Sequence, residues 1–139
     1  MKLWLDTEFN GWGGELISIA MVDEHGREFY EVLPCANPTK WVLDNVLPNL
    51  NKKPVDKQYL QFKLGEFLNH YHSVDIHASW PEDFIHLMSL CLAGPGYKIA
   101  LPEMTMRLVK PTPEGKTIMA GITSHNALDD AKALKLAHP

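Results

Sequence analysis

The chain has 139 residues, the length of one ordinary domain, and a chain of this length buries roughly 68–70% of its unfolded surface. Hydrophobic residues make up 45% and charged residues 22%, as is usual for a soluble globular protein. No apolar run approaches the roughly 20 residues that span a bilayer. The net charge of −4 argues against a long basic groove for a polyanion. We therefore expect a single domain over residues 1–139.

The first predicted strand, residues 2–7, leads into a pair of carboxylates. Side chains alternate between the two faces of a strand, so Asp6 and Glu8 point to the same face as Trp4. At a separation of roughly 6.5–7 Å, two carboxylates can lean over a pair of divalent ions. Burying the pair without a positive partner would be costly. A metal site is one interpretation of this pair, and a solvated strand end is the other. The opposite face carries Leu3, Leu5 and Thr7.

The middle of the chain predicts a hairpin followed by two helices. A continuous apolar run over residues 15–22 and a strand-like stretch over residues 28–33 indicate an antiparallel hairpin. Residues 41–50 and 56–72 then have helical spacing.

The second half of the chain predicts further alternating elements. Residues 73–78 form a short strand, and Pro81 opens a helix that runs to about residue 92, with Ser79 and Glu82 as a capping box. The remaining elements are a weaker strand over residues 98–101 or 104–109, a loop over residues 110–121 and a final helix from near Ser124. This order predicts an α/β fold, a mixed β-sheet flanked by α-helices.

The final helix places a carboxylate on its apolar side. Ala127, Ala131 and Leu134 form the apolar stripe, and Asp130 lies on that stripe. Asp129 is rotated by about 100° from Asp130 and is expected to face solvent. An inward carboxylate needs a partner, either a metal ion or a lysine.

The helix that Pro81 opens shows the same feature. Asp83 aligns with the apolar residues Leu87 and Leu90, whereas Glu82 lies on the polar side. Asp83 is therefore the expected inward carboxylate, and Asp75 on the preceding strand is its competitor.

Other potential ligands do not form a second site. His70 and His72 are two residues apart near a helix end and do not share a face, so we expect them, with His77, to lie on the surface. Cys35 and Cys91 have neither metal-ligand spacing nor a disulfide framework. Without a signal-peptide pattern, they are interpreted as buried, reduced thiols of a cytoplasmic protein.

Three segments together resemble a known family. The segments DTEF at residues 6–9, WPEDFIHL around Asp83 and HNALDDA at residues 125–131 are similar to the three motifs of the DEDDh 3′→5′ exonucleases. That superfamily includes ribonuclease T, oligoribonuclease and proofreading exonuclease domains. The short length and the WPED form look most similar to its compact bacterial and phage exoribonuclease branch. The second motif departs from the commoner Asn-x-x-Phe-Asp pattern.

The resemblance implies a ribonuclease-H-like fold and a metal-dependent mechanism. Asp6, Glu8, Asp83 and Asp130 would hold two divalent cations, Mg²⁺ or Mn²⁺, and would leave the rest of the chain without net charge. His125 would take a proton from the attacking water. The implied reaction releases nucleoside 5′-monophosphates from single-stranded 3′ ends, of RNA in preference to DNA.

Candidate substrate contacts lie beside the first motif and in the late loop. An aromatic ring there can stack on a terminal base, and a cation can contact a phosphate. For Trp12 an ordinary packing role is the more usual one, and for the cations a solvated loop. The residues assigned to the substrate are Thr7, Phe9, Trp12, Arg107, Lys110 and Lys116.

Two other functions remain open from the sequence. One is a non-catalytic nucleic-acid-binding domain of the same fold, and the other is a phosphodiesterase for small nucleotides. We also hypothesise a homodimer, since a small domain with little basic surface would gain a wider groove by pairing.

Overall fold

The fold is built on a mixed β-sheet. The computed structural model describes residues 1–110 and 125–139 of the chain. The strands are β1 Lys2–Phe9, β2 Leu16–Asp23, β3 Glu28–Val32, β4 Ser73–Ala78, β5 Leu92–Gly94, β6 Tyr97–Lys98 and β7 Glu103–Leu108. The helices are α1 Lys40–Asn45, a 3-10 turn Leu47–Asn49, α2 Lys57–Leu68, α3 Pro81–Leu90 and α4 Ala127–Ala137.

The five-stranded sheet has the order β3-β2-β1-β4-β7. The neighbours β1, β2 and β3 pair antiparallel, whereas β4 pairs parallel with both β1 and β7. The carboxyl ends of β1, β4 and β7 therefore meet at one edge of the sheet. The predicted mixed α/β architecture, with its hairpin at one side, is confirmed, and it is consistent with a ribonuclease-H-like fold. A separate two-stranded ribbon joins β5 to β6.

The two faces of β1 contact different layers of the molecule. Leu3 and Leu5 are buried in a cluster with residues of α2 and α3, such as Leu64 and Leu87. Trp4 is buried on the other face, against the stripe of α4 that contains Ala131. The alternation predicted for the first strand is thus confirmed, and it fixes which helix each side chain of β1 meets.

Several predicted boundaries were wrong for local reasons. The single helix expected over residues 41–50 is divided into α1 and a 3-10 turn, because Pro48 has no N–H for an α-helical bond. Ser79 does not form a capping box, because Pro81 is the first residue of α3 and Trp80 takes the cap position. The final helix begins after Asn126, whose side chain accepts a hydrogen bond from the N–H of Asp129.

The later strands resolve the remaining expectations. Of the two positions predicted for the weaker strand, residues 98–101 and residues 104–109, the second corresponds to β7 of the main sheet. The loop predicted over residues 110–121 lies outside the described residues except for its first member. His77 is buried rather than on the surface, because β4 lies inside the sheet and the His77 ring packs near Trp4, with 6.0 Å between ring centroids. Cys91 is buried as expected, but Cys35 is only half-buried.

Among the described residues, no helix is both long and apolar enough to cross a membrane.

Ala131 controls how closely α4 approaches the sheet. It is completely buried between Trp4 and Ala20. We predict that Ala131→Leu destabilises the fold by about 1–3 kcal/mol, because the added methylenes have no space and must displace the helix. Urea unfolding measures the change. Leu136→Ala, at an exposed position of the same helix, is the control and should change stability little. Equal effects of the two substitutions would contradict the close packing of α4.

Candidate active site

Three carboxylates converge where β1 ends. Asp6 and Glu8 lie on the face of β1 that α4 covers, and Asp130 lies on the first turn of α4. One oxygen from each of the three lies within 4.8 Å of the others. The register between β1 and β2 shifts between Glu8 and Phe9, an irregularity of the kind that often lies beside active sites.

Asp83 approaches the same strand end from the opposite face. It lies in the first turn of α3 and is almost completely buried. Thr7, which points away from Asp6 and Glu8, donates its hydroxyl to Asp83 Oδ1 at 2.7 Å. Asp83 therefore lies near Asp6, Glu8 and Asp130, and the hydrogen bond from Thr7 fixes its position.

Burial and mutual repulsion make the strand carboxyls hard to ionise. Burial raises the pKa of Asp6 well above its ordinary value, and the nearby charges of Asp83, Asp130 and Glu8 raise it further. Burial also raises the pKa of Glu8 to about 8, with a further contribution from the charge of Asp130. Both groups would otherwise ionise near pH 4.

The pKa values of the two helix carboxyls, Asp83 and Asp130, are raised less, because hydrogen bonds from backbone and hydroxyl groups partly offset the effect of burial. Burial raises the pKa of Asp83 to about 7 although the hydrogen bond from Thr7 lowers it. Burial raises the pKa of Asp130 to about 6, opposed by the N–H of His125, which donates to Asp130 Oδ2 at 3.2 Å. All four acids therefore need positive charge beside them in order to ionise fully near neutral pH.

The four carboxyls fit divalent cations. Asp6 Oδ2 and Asp83 Oδ2 are buried and have no hydrogen-bond partner among the described residues. Buried oxygens of this kind are costly unless something outside the polypeptide satisfies them. Carboxylate oxygens are the ligands that Mg²⁺ and Mn²⁺ prefer. Asp6, Glu8 and Asp130 could hold such an ion directly. Asp83 lies outside that group of three, although its charge acts on Asp6.

His125 lies at the entrance of α4, outside the helix. Its backbone is left-handed, with φ of 64°, and Asn126 separates it from the helix. Its ring meets the exposed Trp41 of α1 edge-on, with 4.8 Å between ring centroids. The sequence analysis began the final helix near Ser124, whereas the structure leaves His125 outside it. The sequence gave no indication of Trp41.

Asn126 fixes this entrance relative to the rest of the chain. Besides capping α4, its side-chain amide donates to the carbonyl of Asn49 in the 3-10 turn, at 2.8 Å. The turn that follows α1 is thereby tied to the start of α4, and Trp41 is held near His125. The sequence signal for Asn126 was present, since Asn is a preferred N-cap before an Ala/Leu-rich helix.

The aromatic residues beside the first motif differ in exposure. Phe9 is half-buried, and its ring lies 5.1 Å from that of His86, which sequence reasoning did not single out. Trp12 is 95% exposed, so the core-packing alternative is wrong for it.

The predicted cations lie on or after β7. Arg107 and Lys110 are exposed there. Lys116 lies outside the described residues. Asp75, the alternative to Asp83, pairs in register with Lys2 and so lies about 13 Å before Asp6 along the sheet. Its carboxyl accepts from Thr105 and contacts His77, so it belongs to a different cluster.

Comparisons with known proteins find two relatives that share one named function. No protein-family model matches the chain. Two curated proteins, each named a 3′-5′ exoribonuclease, are similar to it, one from Mycobacterium tuberculosis strain CDC 1551 / Oshkosh and one from strain ATCC 25618 / H37Rv. Each is 34% identical in an alignment 121 residues long, and the alignment covers 79% of this chain and 70% of the relative.

The raised pKa values predict how stability depends on pH. A carboxyl with a raised folded-state pKa contributes stability that is present below about pH 4 and is lost as pH rises through the folded pKa, here up to about 8 for Glu8. We therefore expect the unfolding temperature of the metal-free protein to fall by several degrees between pH 5 and pH 8.5. Mn²⁺ should raise it much more at pH 8.5 than at pH 5.

Differential scanning calorimetry measures both effects, and Glu8→Gln is the matched control. That variant should show a weaker fall with pH and a smaller gain from Mn²⁺. An unfolding temperature of the wild type that is flat with pH, or a gain from Mn²⁺ that Glu8→Gln retains, would contradict the carboxylate cluster as its source.

Proposed function

The chain belongs to the 3′–5′ exoribonuclease family, and from that premise we propose that it is a metal-dependent exonuclease of the DEDDh type. It is an exoribonuclease hydrolase, and we infer that it shortens single-stranded RNA from the 3′ end and releases nucleoside 5′-monophosphates. The observation that carries the proposal is the convergence of Asp6, Glu8 and Asp130 within 4.8 Å, with Asp83 beside them.

We assign Asp6, Glu8, Asp83 and Asp130 to hold two divalent cations, Mg²⁺ or Mn²⁺. When bound, such ions lower the pKa of a water molecule and offset the charge of a departing oxygen. The carboxylates supply the negative charge that keeps the ions in place. Thr7 orients Asp83 through its hydroxyl and is a positioning residue rather than a direct contact.

The proposed reaction is hydrolysis of the last phosphodiester bond. The oxygen of a water molecule forms a bond to the terminal phosphorus, and the bond from that phosphorus to the 3′ oxygen of the preceding nucleotide breaks. His125 accepts the proton that the water loses, as the general base of the reaction. The 3′ oxygen gains a proton, so the products are a 5′-monophosphate and an RNA shorter by one nucleotide.

Aromatic and basic side chains around the site are assigned to the RNA. Trp12 and Phe9 follow the first motif, and Trp41 stands beside His125, so each can offer a ring to an unpaired base. Arg107 and Lys110 can contact phosphates farther from the 3′ end. Lys116 keeps the same assignment from the sequence alone.

Removing one carboxylate tests the site. We predict that Asp6→Asn lowers the rate of 3′ shortening at least about a hundredfold, because lost cation binding is worth several kcal/mol in the transition state. The same variant should unfold at a temperature at least as high as metal-free wild type, because a repulsive buried charge is gone. The assay follows 5′-labelled RNA and DNA oligomers and dinucleotides with Mg²⁺, with Mn²⁺ or with EDTA.

Asp75→Asn is the control for position, and it should remain active because Asp75 lies in a separate cluster. Activity in Asp83→Asn together with its loss in Asp75→Asn would transfer the third carboxylate to Asp75. Stepwise shortening that survives EDTA would exclude the metal mechanism. Cleavage of dinucleotides but not of longer RNA would favour a phosphodiesterase for small nucleotides.

His125 has a substitution that preserves its backbone. Asparagine tolerates the left-handed conformation better than most residues, so His125→Asn should fold normally. We predict a loss of about 10²–10⁴-fold in rate, as for removal of a general base. Mn²⁺ binding, measured by calorimetry, should be nearly unchanged. A matching loss of Mn²⁺ affinity would instead identify His125 as part of the metal site.

A further inference from the structure

We propose that the outer edge of β7 pairs antiparallel with β7 of a second copy of this chain, about a two-fold axis at Thr105. The result is one continuous sheet across two copies. This inference does not rest on the proposed function, and its test reads association rather than activity.

Within residues 1–110 and 125–139, no strand pairs with the outer edge of β7. Among the described strands, β7 pairs only with β4, and it ends the order of the sheet. Val109 donates its N–H to the carbonyl of Ala78 at 2.9 Å. Because main-chain groups alternate in direction along a strand, the odd-numbered residues of β7 face β4. The N–H and C=O groups of Met104, Met106 and Leu108 therefore point outward.

The sequence of β7 is complementary to itself in the reverse direction. The segment Glu103-Met104-Thr105-Met106-Arg107 has opposite charges two residues to either side of Thr105 and methionines one residue to either side. Antiparallel pairing about Thr105 places Glu103 opposite Arg107 of the second copy, and Arg107 opposite its Glu103. Opposite charges facing each other across strands stabilise a sheet.

This register also agrees with the direction of the main-chain groups. Met104 would lie opposite Met106 of the second copy, and both present outward groups, so the two residues can exchange both hydrogen bonds. The Glu103 and Arg107 pairs fall at the positions without hydrogen bonds, where facing side chains are closest. A two-fold axis at Met106 would instead leave Glu103 opposite Val109 and lose both ion pairs.

The surface of the edge indicates that it gains from being covered. Met106 is 45% exposed and Leu108 is 56% exposed. An exposed strand edge with apolar side chains is prone to pair with another chain unless lysine, proline or a bulge blocks it. None of these interrupts β7 itself. Pro102, just before β7, has no N–H to donate, so the proposed ladder between the two copies ends there. A second copy of β7 covers the exposed apolar side chains and places an opposite charge beside each charged one.

Analytical ultracentrifugation of the full chain over a concentration series tests the pairing. Wild type should sediment as a reversible dimer. Glu103→Arg and Arg107→Glu should each raise the dissociation constant at least about tenfold, because like charges then face each other at two symmetric positions. The double variant that carries both reversals should recover most of the wild-type affinity, since the exchanged charges again face opposite partners.

Met106→Pro removes an outward N–H without touching the ladder to β4, and it should also weaken the dimer. Leu136→Lys, at an apolar position that is 62% exposed on α4, is the matched surface control and should leave the dimer intact. Circular dichroism checks that each variant is folded. A wild type that stays monomeric at all concentrations would overturn the proposal. Hydrogen exchange that shows the outer N–H groups of β7 protected in that monomer would identify another part of the same chain as their partner. A dimer that resists both the charge reversals and Met106→Pro would overturn it as well.

Discussion

The cost of bringing four acidic side chains together at the end of one strand is the constraint on which the site depends. Asp6 and Glu8 end a strand whose same face carries the buried Trp4, and Asp130 lies against them. Burial and like charge raise the pKa values of all three, so the polypeptide alone does not satisfy the site. Such strain is typical of functional sites, where a fold retains an unfavourable arrangement because a ligand relieves it.

The alternation of β1 divides the support of the site between two layers. The face with Trp4 brings α4 and its carboxylate, and the face with Thr7 brings α3 and Asp83. Because the same strand forms part of both hydrophobic clusters, core packing and carboxylate geometry are coupled. The α4 side is fixed further by Asn126, which ties the helix start to the 3-10 turn.

Local chemistry explains both the successes and the failures of the sequence analysis. The order of elements, the mixed sheet and the apolar stripes follow from periodicity, which each segment carries by itself. The boundaries that were wrong depend on single residues that override periodicity. Pro48 divides a helix, and Pro81, as the first residue of α3, gives the cap position to Trp80 instead of Ser79. His77 was expected at the surface because nothing in its own segment shows that β4 lies between β1 and β7 or that Trp4 packs near its ring.

The sequence by itself determined that Asp6 and Glu8 share a face and that Asp130 lies on an apolar stripe, because strand and helix periods are local properties. Only the tertiary structure decided that Asp83 rather than Asp75 lies beside them. That choice depends on strand register and on how α3 packs, which join residues far apart in the chain. The contact of Trp41 with His125 was decided in the same way, since two segments about eighty residues apart meet only after folding.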